Sequence, residues 1–183
     1  MRQAHGKTAR AENVTPSRVA ALRSLHQTSR MVAVGGQRPR VLVVDDDVDH
    51  GFMLEALLES DGFDVLTATS CEQARTLLEG GRVVDVLIAD LALGDGTALD
   101  LLNGLATDRR PRVAIVLSGF DSVDDIERTL QAGFDAHLAK PTPLEVLRAS
   151  IAEGLRRWPS GIRLARVTAA EAPKTRRMKR PGG

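Results

Sequence analysis

The stretch Val41-Leu42-Val43-Val44-Asp45-Asp46-Asp47 runs four apolar residues straight into three carboxylates. A strand with one wet face alternates apolar and polar side chains. An unbroken apolar run belongs instead to a strand covered on both faces, as in a parallel sheet between two layers of helices. After it, Phe52, Met53, Leu54, Leu57 and Leu58 predict one apolar helical stripe. Val65–Ala68 reads as a second strand. Ser70 then caps a helix with Gln73 in its first turn and Ala74, Leu77 and Leu78 facing inward, closed by Gly80-Gly81. Val86–Ala89 is a third strand, and Leu99, Leu101, Leu102 and Leu105 mark the helix after it. Val113–Leu117 is a fourth strand, followed by a helix that Ser122 opens, with Asp125 three residues on, and that runs through Leu130. Ala136–Leu138 is a short fifth strand. Pro143 starts the last helix, with Leu144, Val146, Leu147, Ile151 and Leu155. Strict strand–helix alternation predicts an α/β fold: one parallel five-stranded sheet with helices on both faces.

Charge divides the chain. Residues 1–40 hold eight Lys/Arg against one Glu, and residues 156–183 hold nine against one. Residues 41–155 hold eight against 22 Asp/Glu, so an acidic centre lies between two basic arms. This asymmetry separates a folded unit from interaction or solvated tails. It gives a basic extension over 1–38, a folded domain over 39–157 and a basic, disordered tail over 158–183. Within the arms, residues 16–29 suggest a short helix, Gly35 to Pro39 a linker, and Pro173 to Pro181 no structure. No helix-turn-helix pattern accompanies the basic residues, so nucleic acid is not expected as a partner. No apolar run reaches the roughly 18–20 residues of a membrane span. The N-terminus lacks the apolar core of a secretory signal. The single cysteine, Cys71, excludes an internal disulfide. Together these features point to the cytoplasm. His5 and His26 lack the flanking pattern of a phosphoacceptor histidine, and Trp158 is expected to pack where the last helix ends.

In doubly wound sheets, ligands sit beyond the carboxyl ends of the strands. Here the first strand ends in Asp45-Asp46-Asp47, the third in Asp90 and the fourth in Ser118-Gly119, and the fifth is followed by Lys140-Pro141. Carboxylates gathered in one crevice repel one another unless a cation intervenes. A hard divalent ion with oxygen ligands answers that need, and Mg²⁺ suits when a phosphate completes its octahedron. Lys140 adds a fixed positive charge, and Ser118 can donate to a phosphate oxygen. Such parts stabilise in-line phosphoryl transfer to a carboxylate.

The segments Val41–Asp46, Ile88–Asp95, Val116–Gly119 and Ala139-Lys140-Pro141 resemble response-regulator receiver domains, in order and spacing, from about Arg40 to Leu155. The resemblance implies a flavodoxin-like sheet of order 2-1-3-4-5. It implies that Asp90 is the phosphoacceptor and that a sensor histidine kinase or histidine phosphotransfer protein is the donor. Asp45, Asp46, Asp90 and the backbone carbonyl of Ala92 would hold Mg²⁺. Lys140 would pair with the phosphoryl oxygens, and Ser118, next to Gly119, would move to bond them. His137 stands where the family often has a switch Tyr or Phe. The surface of the fourth helix, fifth strand and fifth helix would then change, for a downstream protein target or a homodimer. The implied protein is a stand-alone receiver and not an enzyme beyond Mg²⁺-dependent self-phosphorylation and autodephosphorylation. Two positions depart from the pattern: His137 is smaller and more polar than the usual aromatic, and Ala92 cannot orient an attacking water.

Three other readings compete. Asp45-x-Asp47-x-Asp49 looks like the start of a calcium loop, but His50 stands where that loop needs Gly and Ala56 where it needs Glu. A phosphohydrolase would use Asp45 as nucleophile and Asp47 as acid; the short core and the isolated Asp90 count against it. A phosphorylation-independent binding module would ignore replacement of Asp90. Asp47 itself reads as a solvated bystander.

Overall fold

The computed structural model describes residues 38–119 and 122–158. The expected arms, with their helix over 16–29 and unstructured tail, lie outside the described residues, apart from the end of the Gly35–Pro39 linker. Five strands form one sheet: β1 (Arg40–Val44), β2 (Asp64–Ala68), β3 (Val86–Asp90), β4 (Val113–Ser118) and β5 (Ala136–Ala139). All four pairings are parallel, and the spatial order is β2-β1-β3-β4-β5. The helices are α1 (Val48–Ser60), α2 (Cys71–Glu79), α3 (Ala98–Asn103), α4 (Val123–Gln131) and α5 (Leu144–Arg157). A two-residue antiparallel ribbon, Ala92–Leu93 with Gly96–Thr97, links β3 to α3.

The unbroken apolar runs are buried as a two-sided strand requires. Val41 to Val44, Val86 to Ala89 and Val113 to Leu117 are all buried. Alternation sends Leu42, Val44, Leu87, Ala89, Ala114 and Val116 to one face, where Ala74 and Leu78 of α2 and Leu101 and Leu102 of α3 cover them. The other strand residues point to the opposite face, where Gly154 of α5 lies against Val113. Arg148 of α5 ties that helix to the end of α1 with two bonds to Asp61, at 2.6 and 2.8 Å.

Side-chain caps start four of the helices. Asp47 accepts from the backbone N–H of Asp49 and His50, Ser70 from Gln73, Thr97 from Asp100 and Ser122 from Asp125. Each satisfies a donor that the first helical turn leaves unpaired. Gln73 turns its side chain to Thr69, accepting from both its N–H and its hydroxyl. The helix α2 stops at Gly80, and Gly81 follows in the left-handed region at φ 86°, which a side chain would disfavour.

Two expected stripes are corrected. Phe52 and Met53 are 60% and 51% exposed, and the buried line of α1 is Gly51, Leu54 and Leu58. Those positions share a face at a rotation of 100° per residue, which turns 52 and 53 to solvent. Val146 of the last helix's expected stripe is likewise exposed. Trp158 caps α5, and its carbonyl accepts from Arg112 Nε at 2.7 Å.

Candidate functional site

Register brings the polar strand ends together. Val44 pairs with Ala89, so Asp45 and Asp90 lie one step on in adjacent strands. Asp90 pairs with Leu117, which puts Ser118 one residue further at the same edge. Ser118 pairs with Ala139, and its carbonyl accepts from Lys140 N at 2.7 Å. The backbone of Lys140 is thereby held beside the end of β4, across a cis Lys140-Pro141 bond.

The side chains converge from that edge. Lys140 Nζ donates to Asp45 Oδ2 at 2.8 Å and to Asp90 Oδ2 at 2.6 Å. Asp45 is 2% exposed. Its Oδ1 accepts from Asp47 N at 3.0 Å, and its Oδ2 also accepts from His50 Nδ1 at 2.6 Å. Asp46 is exposed. One carboxylate oxygen from each of Asp45, Asp46 and Asp90 lies within 4.8 Å of the others, a grouping unique among the described residues. Ala92 is exposed and donates its backbone N–H to Asp90 Oδ1 at 3.3 Å. Ser118 is buried, and Gly119 after it is exposed.

Burial pushes the Asp45 carboxyl up. The hydrogen bonds from Lys140 and His50, the Lys140 charge and the Asp47 amide outweigh it, so the group sits below the ordinary carboxylate value. Burial likewise lowers Lys140, but its bonds and charge attraction to Asp45 and Asp90 win, and it sits above the ordinary lysine value. Both partners are therefore held ionised at neutral pH.

His137 is turned onto α4. Its Nδ1 lies 3.0 Å from Thr129 Oγ1, whose own hydroxyl donates to the Ile126 carbonyl at 2.8 Å. A hydroxyl has one proton, so His137 Nδ1 is the donor in this pair.

Three roles escape a reading of the sequence. Asp47, expected as a bystander, caps α1. Asp95 accepts from Cys71 N and Glu72 N at 2.8 and 3.0 Å, capping α2 from a loop 24 residues away. His50 bonds Asp45; the available signal was its place in the first turn of a helix, where side chains lean back toward the N-terminus and hence toward the strand end. Cys71 is buried, and burial together with the nearby Asp95 pushes its thiol up to about 11.

The family model for the response regulator receiver domain matches residues 41–152. The response regulator protein PilR of Pseudomonas aeruginosa is 32% identical over 142 residues, covering 77% of this chain and 30% of PilR. The transcriptional regulatory protein ZraR of Klebsiella oxytoca is 27% identical over 122 residues, covering 67% of this chain and 27% of ZraR. The chain thus spans about a quarter to a third of the length of these relatives. Among solved structures, a response regulator receiver domain from Clostridium thermocellum aligns with TM-score 0.60 and 26% identity, over 65% of this chain and 95% of that one. A Burkholderia pseudomallei response regulator, solved with a phosphorylated aspartic acid, a calcium ion and citrate, aligns with TM-score 0.57 and 28% identity, over 65% of this chain and 72% of that one. The match to the family model takes in well over half of the sequence, and on that ground the chain belongs to the response regulator receiver domain family.

Proposed function

We propose that residues 39–157 form a receiver unit that accepts a phosphoryl group on Asp90 from a phosphohistidine of a sensor kinase or phosphotransfer protein. The observation that carries this reading is the bridge of Lys140 Nζ between Asp45 and Asp90, inside a cluster of three carboxylates. The single charge of Lys140 neutralises one of the three, and the donors are all hard oxygens. That donor set fits Mg²⁺, held by Asp45, Asp46 and Asp90 with the backbone carbonyl of Ala92. Bound there, the ion would offset negative charge on the phosphoryl oxygens.

The chain's own groups do the rest. An Asp90 carboxylate oxygen attacks phosphorus as the P–N bond of the donor breaks and its electron pair returns to the imidazole. Lys140 exchanges its bond to Asp90 for one to a phosphoryl oxygen. The Ser118 hydroxyl, at the adjacent strand end, donates to another, with Gly119 offering no side chain to obstruct it. His137 then exchanges its bond to Thr129 for the space Ser118 leaves, altering the surface of α4, β5 and α5 for a downstream protein or a second copy. Ala92 presents no group to orient an attacking water. The setting is cytoplasmic in this reading; no helix among the described residues is long and apolar enough to cross a membrane. The proposed unit leaves the basic stretches over 1–38 and 158–183 outside it. A relative solved with a phosphorylated aspartate supports the chemistry.

What counts against the phosphohydrolase reading is that Asp47 Oδ1 caps α1, accepting from two backbone N–H groups. The test is labelling with acetyl phosphate, with and without Mg²⁺, followed by site mapping. Labelling at Asp90 that needs Mg²⁺ and vanishes in Asp90→Asn is expected. Label on Asp45, or undiminished labelling of Asp90→Asn, overturns the proposal.

A further inference from the structure

Asp45 is the most heavily bonded carboxylate of the site. Its Oδ2 is shared by two donors, Lys140 from the loop after β5 and His50 from α1. Its Oδ1 has one, the Asp47 amide, which leaves a lone pair open to a cation. An ionised carboxylate has no proton to give, so His50 Nδ1 carries the hydrogen of the 2.6 Å bond. Phosphoryl transfer draws Lys140 toward the phosphoryl oxygens. With Asp45 2% exposed, water does not readily replace a lost donor there, and a buried acceptor left short of partners costs stability.

We infer that His50 is a positioning residue, which fixes the rotation of the Asp45 carboxylate for the cation and keeps Oδ2 bonded when Lys140 moves. The inference rests on the receiver reading above. His50 reaches the site on the oxygen already shared with Lys140, so it orients the ligand without occupying the remaining lone pair. Its side chain is 24% exposed, which makes replacement there tolerable for folding. Groups that hold a metal ligand from behind typically set affinity by 10–100-fold.

The discriminating replacements are His50→Asn and His50→Leu. Asparagine keeps an N–H at the same distance along the side chain; leucine fills the space without a donor. Mg²⁺ binding to the unphosphorylated full chain is measured by calorimetry at about pH 8, and Mn²⁺ binding by the electron paramagnetic resonance of the free ion. His50→Asn is expected to stay within about 3-fold of the original dissociation constant, and His50→Leu to raise it about 10-fold or more. Because Lys140 still bonds Asp45 Oδ2 in the unphosphorylated chain, thermal unfolding in EDTA is expected to be close in all three, which separates orientation from general damage. If leucine lowers that melting point, His50→Ala takes its place as the donor-free variant. Affinity unchanged without the donor, or asparagine as weak as leucine, overturns the role of His50. An unaltered chain that binds neither ion and takes no label at Asp90 overturns the receiver reading as well, so the two failures are distinguishable.

Discussion

Gly154 has no room for a methyl group. A Cβ built there would stand 2.6 and 2.7 Å from the two methyl carbons of Val113, on a strand that cannot retreat because β3 and β5 hold it on either side. Gly154→Ala is therefore expected to cost about 1–3 kcal/mol in urea denaturation, the usual range for overpacking. Part of the loss should return when Val113→Ala is added, since the two residues share one contact. At this scale the sequence was unevenly legible. Asp45, Asp90, Ser118 and Lys140 could be placed because each follows an apolar run, and the end of such a run marks the edge of a sheet. The bond of His50 to Asp45 could not, because it depends on how α1 is rotated above the strand end. Asp95 was hidden for a different reason: it serves a helix whose start lies 24 residues earlier, and no local pattern announces that partner.

Among elements, α2 shows how a helix start borrows its cap from elsewhere. Ser70 satisfies the Gln73 amide, while Asp95 takes those of Cys71 and Glu72. The bonds from Cys71 and then Glu72 hold the Asp95 carboxyl below its ordinary value of 3.8. A carboxyl depressed by folding stabilises the fold above its unfolded value and loses that contribution as pH falls through the folded one. Acid unfolding should therefore weaken the start of α2 from about pH 4 downward. Asp95→Asn should flatten that part of the stability profile in denaturation curves at a series of pH values; an unchanged acid limb would contradict the assignment. The helix α1 explains where element reading failed. Two apolar stripes overlap on it, one through Phe52 and Met53 and one through Leu54 and Leu58, and the buried face also takes in Gly51, which carries no hydrophobic signal. Only packing against the sheet chooses between them. The strands offered no such ambiguity, because a run apolar on successive positions has no wrong face.

For the whole molecule, the parallel register does the work of assembly. Three strand ends aligned at one edge bring three carboxylates and one ammonium into a crevice, where the ammonium offsets only one of the three negative charges. Stability should accordingly respond to the ion. With Mg²⁺ at about a hundred times its dissociation constant, unfolding free energy should rise by about 2.7 kcal/mol, and EDTA should reverse the gain. Paired denaturation curves check this; Asp90→Asn, with one negative charge fewer, should rest higher without Mg²⁺ and gain less from it. The five-stranded order itself was not readable from periodicity, which fixes the kind of element but not its neighbour; it was expected only through the resemblance to a known family.

The opposite rim of the sheet is closed by its own polar set. Asp85 accepts from Arg40 N and from Arg112, and Arg112 reaches on to the carbonyls of Leu155 and Trp158. Each group of the crevice hangs from a strand end or one of the two residues past it, at the rim opposite this polar set. Connections on the side of the polar set can lengthen, shorten or exchange sequence without touching the crevice, provided the Arg40–Asp85–Arg112 clasp, the Asp61–Arg148 pair and the buried Phe63, Val84, Leu105 and Phe134 are kept. Inserting one residue inside β1 or β3 is another matter: it would turn every apolar side chain beyond it to the other layer and carry an aspartate out of reach of Lys140. Tolerance to change in this protein is therefore a matter of which end of a strand is touched.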